Sequence, residues 1–230
     1  MSHKILHSKI VATPTESTWS QAYSTLNLYI VLSIKGTTTD EKNIVAEGKE
    51  LFERMQREYF SLDEKNLKNI KQSVEDAIDA QEKKHEISVV LTTVTDNILY
   101  IIIAEKGQVI LKRNGKLGAI AEGISGEISA FSGELKNDDI IILETDDFSG
   151  KVTTEKLSES LEGHEFNDIA ENLAPLIHEE ALGTEAAIVL EYKTEGQAVV
   201  VEEDIDSGNY LCHIKFFLVS VDEHYFVFIA

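Results

Sequence analysis

Two adjacent carboxylates, Asp146 and Asp147, follow directly on the run Asp139-Ile-Ile-Ile-Leu-Glu-Thr145 and precede Phe148-Ser149-Gly150. Residues Ile140 to Leu143 are too apolar for anything but the core of a sheet, so acids at the carboxyl end of that strand stand at its rim, where chemistry usually happens. Carboxylates there suit a hard divalent cation, which takes oxygen ligands. Neighbouring residues of an extended strand point to opposite faces, so the two acids chelate together only if a turn twists them round. The competing reading makes them a turn and helix-capping pair, with Asp147 or Ser149 starting the bend. By the same alternation Glu144 is read as part of a solvated face.

Other reactive side chains carry less. Ser33, Thr92 and Thr93 lie in β-branched runs with no histidine placed beside them by a motif, and read as ordinary strand formers. Gly123, Gly126 and Gly133 fall in Glu122 to Glu134, where no lysine stands at phosphate-loop spacing and three glutamates intervene, so this stretch reads as a flexible flap. His164 and His178 are read as surface or packing residues. The single cysteine, Cys212, sits in an apolar run as a buried small hydrophobe and leaves no zinc-type spacing.

The elements that must position these residues show in the hydrophobic pattern. Leu28 to Ile34, Ile87 to Thr95, Ile98 to Ala104, Gln108 to Lys112, Ile140 to Leu143 and Ala186 to Tyr192 are short, β-branched and bounded by turn residues, as strands are. Thr95-Asp96-Asn97 and Arg113-Asn114-Gly115-Lys116 join neighbours as tight hairpins, the Asn-Gly supplying positive φ. Two amphipathic helices follow the first strand. One places Ile44, Gly48, Leu51, Phe52, Met55 and Tyr59 on one face behind a cap at Thr39 or Asp40; the other is capped by Asp63 and carries Leu67, Ile70, Val74, Ala77 and Ile78. A second helical pair, Thr154 to Glu162 and Asn167 to Glu180, comes after the acidic turn, with Gly163 as a stop and Pro175 as an internal cost. The end of the chain reads as strands at Ala198 to Glu202, Tyr210 to Val219 and Tyr225 to Ile229. This succession predicts an α+β sandwich, two mostly antiparallel sheets covered outside by helix pairs. A break at Lys193 to Gln197 divides a core, residues 1–192, from a C-terminal β extension, residues 193–230, packed on it.

With 41 acidic against 21 basic residues the net charge is −20, which repels phosphate backbones and anionic bilayers. Nucleic acid and membrane are therefore excluded as partners, and a charged protein partner is expected to be basic. The lone cysteine rules out an internal disulfide framework, the first nine residues lack the apolar run of a signal peptide, and no window is long and apolar enough to span a bilayer. The reading is a cytoplasmic protein.

The order of elements resembles the PPM-type (type 2C) metal-dependent protein phosphatases over about residues 3 to 192. Leu28-Tyr-Ile-Val-Leu-Ser33-Ile34-Lys35-Gly36 is similar to that family's strand ending in an Asp-Gly metal-binding turn, and two long helices follow as the family requires. Ile87 to Lys116 resembles its paired strands with an Arg-Asn-Gly hairpin. Leu135 to Phe148 is the strongest match, with Thr145-Asp146-Asp147 where the family has Thr-Asp-Gly. Gly183-Thr-Glu185 to Tyr192 resembles its last core strand. The resemblance implies a four-layer α-β-β-α sandwich and hydrolysis by two divalent ions, which needs several converging carboxylates.

Against that pattern Ser33 stands in place of the bridging aspartate and Ile34 in place of the following glycine. The region of Trp19 to Ala22 offers no phosphate-binding arginine, and Glu105-Lys106-Gly107 puts a lysine where a metal pair would repel it. The last acid position falls on Thr184 or Glu185. The reading implied is a fold without its chemistry: a catalytically inactive, pseudophosphatase-like domain acting in protein binding or regulation, with no cofactor. One alternative is a weak metal-dependent phosphoserine/phosphothreonine phosphatase, in which Asp146, Asp147 and Glu185 hold Mn or Mg in an altered site. The other is a structural module of a larger assembly, for which the aromatic C-terminal strands are the motive.

Overall fold

The computed structural model describes residues 3–36, 44–81, 85–162, 166–178, 181–194, 216–221 and 224–229. Two five-stranded sheets form its centre. The first runs in the order β1 (His3–Val11), β10 (Ala186–Thr194), β9 (Asp139–Glu144), β6 (Gln108–Arg113), β7 (Lys116–Glu122). The second runs β2 (Thr18–Thr25), β3 (Leu28–Lys35), β4 (Glu86–Thr95), β5 (Ile98–Glu105), β8 (Ile128–Glu134). Every ladder within them is antiparallel. β11 (Phe216–Val221) and β12 (His224–Ile229) pair with each other as a separate two-stranded sheet.

Period-two alternation sorts the strand residues into layers. Tyr29, Val31, Val90, Ile103, Val109, Ile141, Leu143 and Ile188 pack between the sheets. Their neighbours Ile30, Leu32, Val89 and Leu91 face the other way, onto Leu51 and Met55 of α1 (Ile44–Phe60) and Ile70 and Val74 of α2 (Leu67–Asp79). On the far side, Ile110, Ile142, Ala187 and Val189 are covered by Phe148 of α3 (Asp146–Lys151), Leu157 of α4 (Thr154–Leu161), and Leu173 and Ile177 of α5 (Ile169–His178). This is the four-layer α-β-β-α sandwich that the sequence predicts. The hairpins at Asp96-Asn97 and Asn114-Gly115 turn as expected, with positive φ at Asp96, Asn114 and Gly115.

Several local readings are corrected. Asn66, not Asp63, caps α2, its side chain accepting from the Asn69 N–H at 2.9 Å, because Asp63 lies a turn too early. The glycine-bearing stretch 122–134 is no loose flap: it contains β8, and its turn is tied down by the Glu105 carboxylate, which accepts from the Gly126 N–H at 2.7 Å and the Ser125 hydroxyl at 3.1 Å. Gly123 is there for close approach, since a Cβ would fall on the Glu105 carbonyl. Pro175 sits inside α5, which runs through it, and the last core strand extends to Thr194. The expected caps Thr39 and Asp40, the stop at Gly163, Cys212 and the strand at Ala198 to Glu202 lie outside the described residues.

Candidate functional site

The carboxyl end of β9 delivers its acids to one end of the sandwich, where the two sheets meet. Thr145 leaves the strand as the N-cap residue of α3, and Asp146 and Asp147 form that helix's first turn. A sequence so rich in turn formers becomes a helix because Phe148 and Val152 bury themselves on the sheet behind it. The Thr145 hydroxyl donates to the Thr184 carbonyl at 2.9 Å and accepts from the Ala186 N–H at 3.0 Å, clamping the junction to the start of β10.

Each of the three predicted site residues is engaged differently. Asp146 is half exposed, and its carboxylate faces the Lys106 ammonium at 3.3 Å. Asp147 accepts the Thr184 hydroxyl proton at 2.5 Å. Glu185 is fully buried. Its carboxylate accepts from the backbone N–H groups of Leu182 (2.9 Å), Gly183 (2.9 Å) and Thr184 (3.2 Å), with the Lys151 ammonium at 3.4 Å. Lys151 in turn donates to the Ile177 carbonyl at 3.0 Å, fixing α5 to the same loop. Glu185 therefore organises the loop before β10, its lone pairs consumed by the protein.

Opposite these acids the second sheet presents hydroxyls. Ser20, Ser33 and Ser88 lie side by side in register across β2, β3 and β4. They share the alternation of Ala22, Val31 and Val90 and so face the other sheet, and all three are buried, at 3, 5 and 4% exposure. The Ser20 hydroxyl donates to the Glu185 carbonyl at 3.2 Å. That of Ser88 donates to the Lys106 carbonyl at 2.6 Å and accepts the Asp146 N–H at 3.1 Å. Short side chains thus stitch the sheets together at this end. Ile34, next to Ser33, points into the helical layer against Gly48 of α1, so its bulk is absorbed by the helix rather than by the turn.

Glu144 overturns its solvated reading. In register with Gln108 and Ala187 it lies on the helix-covered face of the first sheet and is fully buried. Gln108 Nε2 donates to one carboxylate oxygen at 2.7 Å, and the other oxygen has no partner. Burial pushes this carboxyl up to about 7, against the lowering effect of the Gln108 hydrogen bond. Alternation had given its face correctly but not the helix laid over that face. Among the described residues no group of three or more His, Cys, Asp or Glu is placed to hold a metal ion. The residues present fit a divalent pair poorly, since Asp146 faces the Lys106 ammonium, Asp147 accepts from the Thr184 hydroxyl and Glu185 is buried in its own loop.

This sandwich, with its acid-bearing strand running into a helix at the meeting point of the sheets, is the PPM phosphatase fold. No family model matches the sequence and no curated protein does. Solved structures do. The catalytic domain of the serine/threonine phosphatase PstP, solved with two manganese ions, superposes at a TM-score of 0.67 with 12% identity, over 84% of this chain and 99% of that one. The PstP/Ppp phosphatase of Mycobacterium tuberculosis gives 0.61 with 15% identity, over 84% of this chain and 99% of that one. The phosphatase domain of SpoIIE from Bacillus subtilis gives 0.55 with 13% identity, over 88% and 99%. Identities this low establish the architecture and carry no chemistry across.

Proposed function

We propose that this chain is a phosphatase-like domain that does not hydrolyse phosphate esters and acts instead through protein binding, in a regulatory role. The observation that carries the reading is the row Ser20, Ser33 and Ser88, buried and in register, with Ser88 bonded to the backbone of Asp146. Two-ion hydrolysis depends on carboxylates that converge on both ions, neutralise the phosphoryl oxygens and activate a water. Here hydroxyls occupy the row opposite Asp146, Lys106 supplies the neighbouring cation, and the remaining acids are bonded to Thr184 and to the 182–184 loop. An ammonium neutralises a carboxylate but offers no open coordination position for water or phosphate. The fold is kept, and its two sheets are joined by hydrogen bonds at the end where the acids sit.

The test is hydrolysis of an aryl phosphate with and without manganese, by the wild type and by the Asp146→Ala, Asp147→Ala double variant. Equal background rates in all arms are the expected result. Manganese-dependent turnover that the double variant loses overturns the reading in favour of an altered metal-dependent phosphatase site.

A further inference from the structure

Strand β1 inverts the charge of the molecule. Its sequence, His3-Lys-Ile-Leu-His-Ser-Lys-Ile-Val11, contains two lysines and two histidines and no acid, on a chain with 41 acids in 230 residues. Beside it packs β2, Thr18-Trp-Ser-Gln-Ala-Tyr-Ser-Thr25, which bears no charge. Among the described residues each of these is the terminal strand of its sheet: β1 pairs with β10 alone, and β2 with β3 alone. Among the described residues, one side of the sandwich therefore ends in strand edges that no further strand extends. Lys4, His7 and Lys9 are exposed there, and neither lysine forms an ion pair among the described residues.

We propose that the β1 edge is a docking strand for an extended acidic segment of a partner protein, which adds to the first sheet and sets carboxylates beside Lys9, next to His7, on the inter-sheet face and beside Lys4 on the helix-covered face. Main-chain hydrogen bonds of the added strand give affinity, and the alternating side chains give register and choice of partner. A second copy of this chain is a poor occupant, because β1 paired with itself sets two cationic strands against each other. Duplex nucleic acid is a poor one too, since four basic groups sit on a chain of net charge −20. Burial and the neighbouring Lys9 both hold the His7 imidazole below its ordinary range, so the positive charge of this edge comes from Lys4 and Lys9. The inference does not depend on whether the Asp146 end of the sandwich is catalytic. It also reverses locally what net charge says globally, which favours basic partners.

Edge lysines also serve to prevent aggregation, and the experiment separates the two roles. Amide spectra of the whole chain are recorded at low salt against a peptide of about ten residues in Glu-Glu-Thr-Thr repeats, long enough to cover one strand and carrying carboxylates on both faces. The same repeat with lysine in place of glutamate is the control. The proposal requires saturable shifts and slowed hydrogen exchange at β1 amides with the acidic peptide alone, and binding weakened about tenfold or more by Lys4→Glu, Lys9→Glu together. The same charge change at Lys49 and Lys68, exposed on the α1–α2 layer, is to leave binding within about twofold, because charges a protein's width away are screened. Failure of the acidic peptide to bind, equal binding of both peptides, or shifts that avoid β1 overturns the proposal. If the double variant aggregates while the wild type binds neither peptide, the lysines are guards and nothing more.

Discussion

Burial of Glu144 at the end of β9 couples folding to a proton. The folded carboxyl titrates near 7 against a reference of 4.5, so the folded state holds its proton more tightly than the unfolded chain does. Stability from this group is fully present below the reference value and is lost as pH rises through the folded value, about 3 kcal/mol in all. Urea unfolding at about pH 5 and about pH 8 should show this loss, and Glu144→Gln should flatten it and stabilise the protein at the higher pH. An unchanged slope in that variant would mean that the carboxyl ionises without cost, through water reaching the oxygen left without a partner.

Glu185 has the opposite character, a buried carboxylate whose oxygens are satisfied by three N–H groups and an ammonium. Its replacement by alanine strips Lys151 of its partner and frees the loop before β10, at a cost of about 3–5 kcal/mol. Thermal unfolding of Glu185→Ala should show that loss with or without manganese. Altered manganese affinity at undiminished stability would assign Glu185 to a metal site instead.

At the scale of elements, α1 lies close on β2 and β3 because position 48 has no side chain. A Cβ at Gly48 would fall on the Trp19 indole and stand 2.9 Å from an Ile34 methyl. Helix propensity favours alanine over glycine by about 1 kcal/mol, whereas overpacking a tight layer costs about 1–3 kcal/mol. Gly48→Ala should therefore destabilise or come out neutral in chemical denaturation, and a clear gain in stability would show that the α1 layer can shift outward. Ile34 and Gly48 act as a pair, large under small. At the other end of the first sheet, Arg113 of β6 grips Asp139 of β9 with two hydrogen bonds, 2.8 and 2.5 Å, which holds the strand that carries the acids in register.

Among the described residues of the whole molecule, the strand orders place residues 3–194 in two five-stranded sheets, while β11 and β12 pair with each other alone. A chain ended after Thr194 should unfold cooperatively with a melting temperature within about 5 °C of the full chain, since the three apolar layers persist without the last two strands. A molten or aggregated product would show that the segment beyond Thr194 covers part of the core. No helix of the described residues is long and apolar enough to cross a membrane.

The hydrophobic pattern of the chain was enough to read the central strands, the two long helices, the hairpin turns and the layered sandwich, because alternation and helical spacing record which face of each element is buried. It also placed Asp146 at the end of a core strand. Strands β1, β2 and β8 were not legible in it, since all three are terminal strands with lysines, histidines, glycines or small polar residues among their apolar ones. Nor was the fate of the acids. That Ser88 bonds to residue 146 from 58 positions away, that Lys106 faces Asp146, that Glu185 turns into its own loop and that a helix covers Glu144 are consequences of strand register and layer packing. Local sequence sets which way a side chain points from its own strand. What it meets there is set by the register and packing of distant elements, and only the tertiary structure contains that.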